Sequence, residues 1–266
     1  MPDWMEQLVA EAPRLILSAG TLTLFVTSFA YLSHPRAKAF VLALPIPFTC
    51  AYLSSGTMLG DEYQLPKIDT THFFGLIVMV IYHWSVYWTR IRWRWPLAAS
   101  ITAGIVWFVG VAAATRPWIS DVVHPMVMGG ALVGVWVVFV SLYRGTMEAS
   151  YRSITPWWIK APGVFLIGLC MFNATALLGG AVTTFPYAGV FASYELRHSL
   201  RTLAGQLSIN TIGLTIMMLT IWMLQDRFEP NALWPLVIGW GTTLSAVALV
   251  YGKGLGRPRD TDDYSV

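Results

Sequence analysis

The stretch LLGGAVTTFPYAGVFASYELRHS, residues 177–199, combines a long apolar run with features that interrupt it. It opens on Gly179 and Gly180, carries Pro186 in its middle and ends on a charge cluster. Proline inside a helix removes a backbone hydrogen bond and bends or breaks the helix. A soluble core helix would exclude Pro186, and a simple membrane anchor would exclude Glu195. The pattern indicates a broken membrane segment that runs into a polar surface.

The composition of the whole chain indicates a polytopic membrane protein. Of its 266 residues, 56% are hydrophobic and 12% are charged, whereas about a quarter are charged in a typical soluble domain. Apolar runs of about 20 residues recur, each long enough to cross a hydrocarbon layer about 30 Å thick. Cys50 and Cys170 both lie within such runs, so the sequence supports neither a disulfide nor a zinc site.

The apolar runs predict an all-α polytopic membrane protein with about nine transmembrane helices, or eight if the sixth and seventh runs form one helix. The runs cover residues 14–33, 38–56, 71–90, 95–115, 122–143, 157–177, 180–196, 205–225 and 232–252. We predict an N-terminus outside and a C-terminus inside, because cytoplasmic loops carry an excess of Lys and Arg. This orientation leaves only four of the 17 basic residues outside, namely Arg14, Lys67, Arg116 and Arg227.

Short matches at one spacing along the chain predict an internal duplication. The Trp-Pro-Leu of residues 95–97 matches that of residues 234–236, and at the same spacing Pro47 matches Pro186 and Ser54 matches Ser193. One residue short of that spacing, FGLIVMVIYHW (74–84) matches IGLTIMMLTIW (212–222). Repeated sequence at a fixed spacing is the signature of repeated structure.

The duplication divides the chain into two predicted four-helix repeats joined by a connector. The division is an extracytoplasmic head 1–13, repeat 1 at 14–115, the connector helix and loops 116–156, repeat 2 at 157–252 and a cytoplasmic tail 253–266. An odd number of crossings separates the two repeats, so the second is inverted relative to the first. Inverted repeats are the usual construction of secondary transporters, whose sites lie near the midplane where broken helices meet.

The connector helix carries Gly130 and Gly134, four residues apart. A face of small residues at this spacing allows two helices to approach closely in a membrane. We therefore expect this face of the connector to pack between the two repeats.

Two segments of the second repeat carry a resemblance to a known family. They are GGAVTTFPYAGVFASYE (179–195) and ALWPLVIGWGTTLSAVALVYGK (232–253). These residues resemble the GlpM-like family of small four-span bacterial inner-membrane proteins, over residues 180–253 and more faintly over residues 37–115. The resemblance implies a location in the bacterial inner membrane, and it implies that this chain is a fused, inverted pair of such units.

Polar and ionisable residues within the spans are the candidates for lining a substrate site or pore, because such residues are costly in the bilayer and usually face a cavity or a partner. The candidates are His83, Tyr87, Asn173, Thr184, Pro186, Glu195, Arg197, His198, Asn210 and Thr211. Structural alternatives stay open for them. The histidine could bond a backbone carbonyl, the amides could link helices, the proline could be a packing kink, and the glutamate could form a salt bridge at the membrane rim.

These features lead to the hypothesis of an inner-membrane transporter or channel-like protein that moves a small solute or a lipid headgroup through the repeat interface. An accessory structural subunit of a membrane or envelope complex is the alternative, and a lipid-modifying enzyme is a further one. The sequence contains no HExxH, GxSxG or GxxxxGK[ST] motif. We therefore expect no catalytic residues, no metal and no cofactor. The expected partners are membrane lipids and a second copy or partner membrane subunit, not nucleic acid.

Overall fold

The computed structural model describes residues 3–32, 41, 44–59, 62–142, 156–172, 174–229 and 231–252. Within them the chain is helical apart from one short antiparallel hairpin formed by β1 (Thr57–Leu59) and β2 (Glu62–Gln64). The helices are α1 (Asp3–Phe29), α2 (Ile46–Ser54), α3 (Thr70–Ile91), α4 (Leu97–Val122), α5 (Pro125–Leu142), α6 (Trp157–Phe172), α7 (Thr175–Leu178), a 3₁₀-helix (Gly179–Thr184), α8 (Tyr187–Glu195), α9 (Leu200–Leu224) and α10 (Trp234–Gly252).

Several of these helices are long and apolar enough for a membrane. Among the described residues, Ala12–Phe29, Leu97–Ile119 and Leu200–Leu224 qualify as membrane spans by length and hydropathy, with mean hydropathies of 1.3, 2.0 and 1.7. Among the same residues, shorter apolar helices cover Pro125–Val138, Trp157–Cys170 and Trp234–Val250. The predicted all-α class is confirmed, and the candidate spans agree with a membrane protein. The division into nine spans stays a prediction.

Two helix boundaries differ from the predicted spans. Helix α1 begins at Asp3, inside the predicted head, and continues through Pro13. Helix α4 continues to Val122, past the predicted end of the fourth span at residue 115.

The first and third helices of the predicted repeats meet their counterparts. Helix α1 packs against α6, and α3 packs against α9. The first pair is antiparallel, because Lys160 at the start of α6 lies 4.9 Å from the ring of Tyr31, just beyond the end of α1. The second pair is also antiparallel. Gln225, after the end of α9, bonds the backbone of Ile68 before the start of α3.

The connector helix α5 packs against α9 and α3 through a face other than the predicted one. Gly129 contacts Leu219, Leu132 is buried, and the Trp136 indole donates to the Ile209 carbonyl at 2.8 Å. Gly130 and Gly134 are exposed, and a Cβ atom added to either would have no neighbour within 4 Å. The expectation that these two glycines pack between the repeats is therefore wrong for this chain.

Successive residues of an α-helix are rotated by about 100° around its axis. Only one face of α5 can therefore pack against α9. The bulky residues Leu132 and Trp136 supply more buried area than glycine and occupy that face. The two glycines are turned outward as a consequence.

Most residues of helix α9 are buried. Every residue from 202 to 213 is buried, including polar ones. Hydroxyls of this helix bond its own backbone, since Ser208 donates to the Ala204 carbonyl at 2.7 Å and Thr215 donates to the Thr211 carbonyl at 2.9 Å. Such bonds let polar side chains lie inside a membrane bundle without a partner helix.

Candidate functional site

The second predicted span of repeat 2 is broken, as its proline predicts. We call residues 175–195, which comprise α7, the 3₁₀-helix and α8, the broken segment. Gly179 has φ of +55°, a left-handed conformation that glycine adopts without strain. Phe185 is extended, with ψ of 137°, and Pro186 precedes the first residue of α8. The predicted irregularity at Phe185 and Pro186 is confirmed.

Side-chain hydroxyls donate hydrogen bonds to backbone carbonyls in the broken segment. The Tyr187 hydroxyl donates to the Val182 carbonyl at 2.8 Å, and the Thr183 hydroxyl donates to the Gly180 carbonyl at 2.7 Å. Non-helical backbone at membrane depth is tolerated only where protein or water provides such partners. The break is therefore a built feature of the fold.

Helix α3 lies directly against the broken segment, and glycines make the close approach possible. A Cβ atom on Gly75 would overlap the Thr184 hydroxyl and lie 2.7 Å from the Ala181 Cα. A Cβ on Gly180 would overlap the ring of His72, and one on Gly189 would overlap Nε2 of His83. The contact register between α3 and the broken segment is thus set by these glycines.

A cavity of about 40 Å³ lies where α2, α3, the broken segment and α9 meet. Half of the ten residues predicted to line a substrate site line this cavity, and they come from three of the four elements. They are His83 from α3, Thr184 and Pro186 from the broken segment, and Asn210 and Thr211 from α9. Apolar residues complete the lining, namely Leu44, Pro47, Phe48, Met79, Phe185, Ala188, Gly189, Leu207 and Leu214.

His83 is the only ionisable residue among the described residues that line the cavity. Its side chain is 4% exposed, and Nδ1 lies 2.8 Å from the Met79 carbonyl oxygen. Its Nε2 has no hydrogen-bond partner within the described part of the chain. The structural alternative for this histidine, a bond to a backbone carbonyl, is therefore correct for Nδ1. It does not account for Nε2.

Glu195 lies apart from the cavity, in a buried ion pair. Its Oε1 is 2.9 Å from Nζ of Lys160, and both residues are almost fully buried. Lys160 also lies over the ring of Tyr31. The sequence alone suggests Lys160 at the exposed end of a span and Glu195 in a salt bridge at the rim. The sequence signal that could have identified the pair is a lysine placed inside the apolar run PWWIKAPGVFLIG.

The remaining candidates that the structure describes do not line the cavity. The guanidinium of Arg197 lies 5.0 Å from the ring of Tyr194 and donates to its carbonyl, and His198 is exposed. The ring of Tyr87 packs between those of Trp84 and Trp88. Asn173 lies outside the described residues.

The N-terminal end of α3 carries a capping box. The Asp69 carboxylate accepts from the Thr71 amide at 3.0 Å and lies 2.8 Å from Nδ1 of His72. Partial burial raises the pKa of Asp69. The hydrogen bond and charge of His72, together with the hydrogen bonds from Thr71, lower it by more. The net result is a pKa of about 2. The Thr71 hydroxyl also accepts from the Gly180 amide at 2.9 Å, which ties the cap to the broken segment.

Comparison with known proteins leaves the family open. No family model, no curated protein and no solved structure matches this chain. The resemblance to the GlpM-like family stays a prediction from the residues quoted above.

Proposed function

We propose that this protein is a multi-pass transporter or channel-like protein of a bacterial inner membrane, which moves a small solute between two inverted four-helix repeats. The observation that carries the proposal is the cavity around His83. It is lined from α2 and α3 of the first repeat and from the broken segment and α9 of the second. The cavity thus lies between the two predicted repeats and beside a broken helix, and transporters built from inverted repeats hold their substrates in such a place.

The packing of equivalent elements supports an inverted pair. The pairs α1 with α6, α2 with the 3₁₀-helix, and α3 with α9 are all in contact. Equivalent helices run antiparallel when one repeat is inverted, as α1 and α6 do. Contact between equivalent elements is expected when they lie close to a two-fold axis in the membrane plane.

The two half-helices α2 and α8 support a common origin. Each contains nine residues and is preceded by a proline, Pro45 before α2 and Pro186 before α8. Ser54 donates to the Cys50 carbonyl at 2.7 Å, and its predicted counterpart Ser193 donates to the Gly189 carbonyl at 2.8 Å. Matched positions of the two repeats therefore make the same local bond.

The fourth helix of each repeat packs on the second span of the other. In one direction, the rings of Phe108 in α4 and Phe185 in the broken segment are 5.1 Å apart. In the other direction, the Trp240 indole in α10 donates to the Thr49 hydroxyl in α2 at 2.9 Å. Reciprocal contacts of this kind are expected if a two-fold axis relates the repeats, and they support the proposal.

The size of the cavity favours a small solute over a lipid headgroup. A volume of about 40 Å³ accommodates roughly three water-sized groups, if each takes about 10–15 Å³. For a transporter this would be a closed state, in which α3 and the broken segment must separate before anything larger passes.

Uptake into proteoliposomes tests the proposal. We expect a panel of small labelled amines, amides and polyols to contain a solute that enters faster than into protein-free liposomes. His83→Ala should reduce that uptake strongly, whereas His124→Ala should not, because His124 lies in the loop between α4 and α5. Equal rates with and without protein for every solute would contradict a transport function.

A further inference from the structure

The hydrogen-bonding character of the cavity indicates the chemistry of its solute, an inference that rests on the proposed transport function. Nδ1 of His83 lies 2.8 Å from the Met79 carbonyl oxygen. Because a carbonyl only accepts, Nδ1 of the neutral ring carries the proton, and Nε2 is left as an acceptor. No described atom donates to Nε2, although the side chain is 4% exposed. A buried acceptor calls for a donor, and a bound solute can supply one here.

Two threonines add further acceptors to the same cavity. The Thr184 hydroxyl donates to the Ala181 carbonyl at 3.1 Å, and the Thr211 hydroxyl donates to the Ser208 carbonyl at 2.6 Å. A hydroxyl has one hydrogen, so each oxygen has only lone pairs left to offer. Three elements of the fold therefore place acceptors around one small space.

Charge and size narrow the ligand further. None of the described residues that line the cavity carries a fixed charge, so a carboxylate or phosphate would find no cation there. The volume of about 40 Å³ limits the ligand to roughly three non-hydrogen atoms. Hard divalent cations take six or more oxygen ligands, and the lining supplies fewer polar side chains than that.

We propose that the cavity binds ammonium or a primary amine of one or two carbons. Its N–H groups donate to Nε2 of His83 and to the hydroxyl oxygens of Thr184 and Thr211. An amine nitrogen carries several hydrogens and can serve several acceptors at once. The short alkyl group of a primary amine lies against the apolar lining.

Ligand-dependent thermal stability of the purified protein in detergent tests this assignment. Four chloride salts are titrated at constant ionic strength, those of ammonium, methylammonium, sodium and tetramethylammonium. A ligand that binds only the folded state raises the unfolding midpoint. We expect a saturable rise with ammonium and methylammonium, and none with sodium or with tetramethylammonium, which has no N–H group.

Variants locate the binding. His83→Ala should weaken ammonium binding by roughly tenfold or more, because it removes a buried hydrogen bond to a charged group. Thr211→Val, which keeps the shape of the side chain, should weaken it as well, and His124→Ala should bind like the parent protein. An equal response to all four salts, no response to any, or a full response in His83→Ala would overturn the assignment.

The amine assignment and the transport function fail in different ways. Uptake that depends on His83 but serves a solute without N–H groups would overturn the assignment and leave transport standing. Saturable ammonium binding in a protein that moves no solute into liposomes would overturn the transport function and leave the amine assignment standing.

Discussion

Lys160 Nζ lies 2.9 Å from Glu195 Oε1, and both residues are almost fully buried. The pair joins the start of α6 to the last residue of α8, with Tyr31 beneath the ammonium group. Removal of one partner from a buried ion pair leaves an uncompensated charge, at a cost of about 3–5 kcal/mol. We therefore expect Glu195→Gln to lower the free energy of unfolding by about this amount, measured by denaturant unfolding in detergent.

The matched control removes both charges. Replacement of the pair by well-packed apolar residues is often neutral or stabilising, so Lys160→Met combined with Glu195→Leu should recover most of the stability that Glu195→Gln loses. A double variant as unstable as the single one would show that the pair acts in some way other than mutual charge compensation.

Gly189→Ala should displace His83. The added Cβ overlaps Nε2 of the ring, and the ring cannot turn away without breaking the bond between Nδ1 and the Met79 carbonyl. Overpacking of a buried site costs about 1–3 kcal/mol, and we expect ligand binding at the cavity to be lost as well. The measurements are the unfolding midpoint and the ammonium titration.

Gly110→Ala provides the comparison, because Gly110 also lies inside a helix and has no neighbour within 4 Å of the new side chain. Alanine is preferred to glycine in a helix by about 1 kcal/mol, so this variant should be as stable as the parent protein or more so. Equal behaviour of the two variants would be inconsistent with the contact between Gly189 and His83.

Asp69→Ala should destabilise the start of α3, because it removes the bond from the Thr71 amide. The expected loss is about 1 kcal/mol, whereas Asp69→Asn keeps a cap of similar quality. The two variants, compared by thermal unfolding near neutral pH, separate the loss of the cap from the loss of the charge.

The charge of Asp69 gives a pH dependence of known sign. Because the folded pKa is lowered to about 2, the carboxylate stabilises the fold fully above its unfolded pKa of about 3.9 and loses this effect as the pH falls toward about 2. The difference in unfolding midpoint between the parent and Asp69→Asn should shrink over that window. A difference independent of pH would contradict the proposed role of the carboxylate.

Cysteine labelling tests the predicted orientation. In a background with both native cysteines changed to serine, Lys67→Cys should react with an impermeant thiol reagent applied outside, and Arg92→Cys should react only after the membrane is opened. Both positions are exposed, and loss of the exposed ion pair between Lys67 and Asp226 costs little. The same response at both positions would contradict a single membrane crossing by α3.

The helical class and the broken segment could be predicted from the sequence because both depend on local chemistry. Apolar run length decides the class, and Pro186 cannot continue a helix. His83 and Thr211 could be selected because polar residues are rare in apolar spans. Their meeting in one cavity follows from tertiary packing, to which the predicted internal repeat is the main guide in the sequence.

The features that could not be predicted from the sequence depend on which face of a helix packs against a neighbouring helix. The spacing of Gly130 and Gly134 indicates a close-packed face but does not choose between that face and the one with Trp136. The burial of Lys160 depends on Glu195, a residue on another helix. Pairings between distant residues leave no local pattern in a single sequence.

Accessibility of the cavity from the two sides of the membrane decides whether it is a solute path. Thr184 is 4% exposed, and Thr184→Cys changes the size of the side chain little. In the background without native cysteines, reconstituted in liposomes, we expect Thr184→Cys to react with a small polar thiol reagent from the outside and, in separate experiments, from the inside. Reaction from neither side would assign the cavity to the packing of a static core and contradict a transport function.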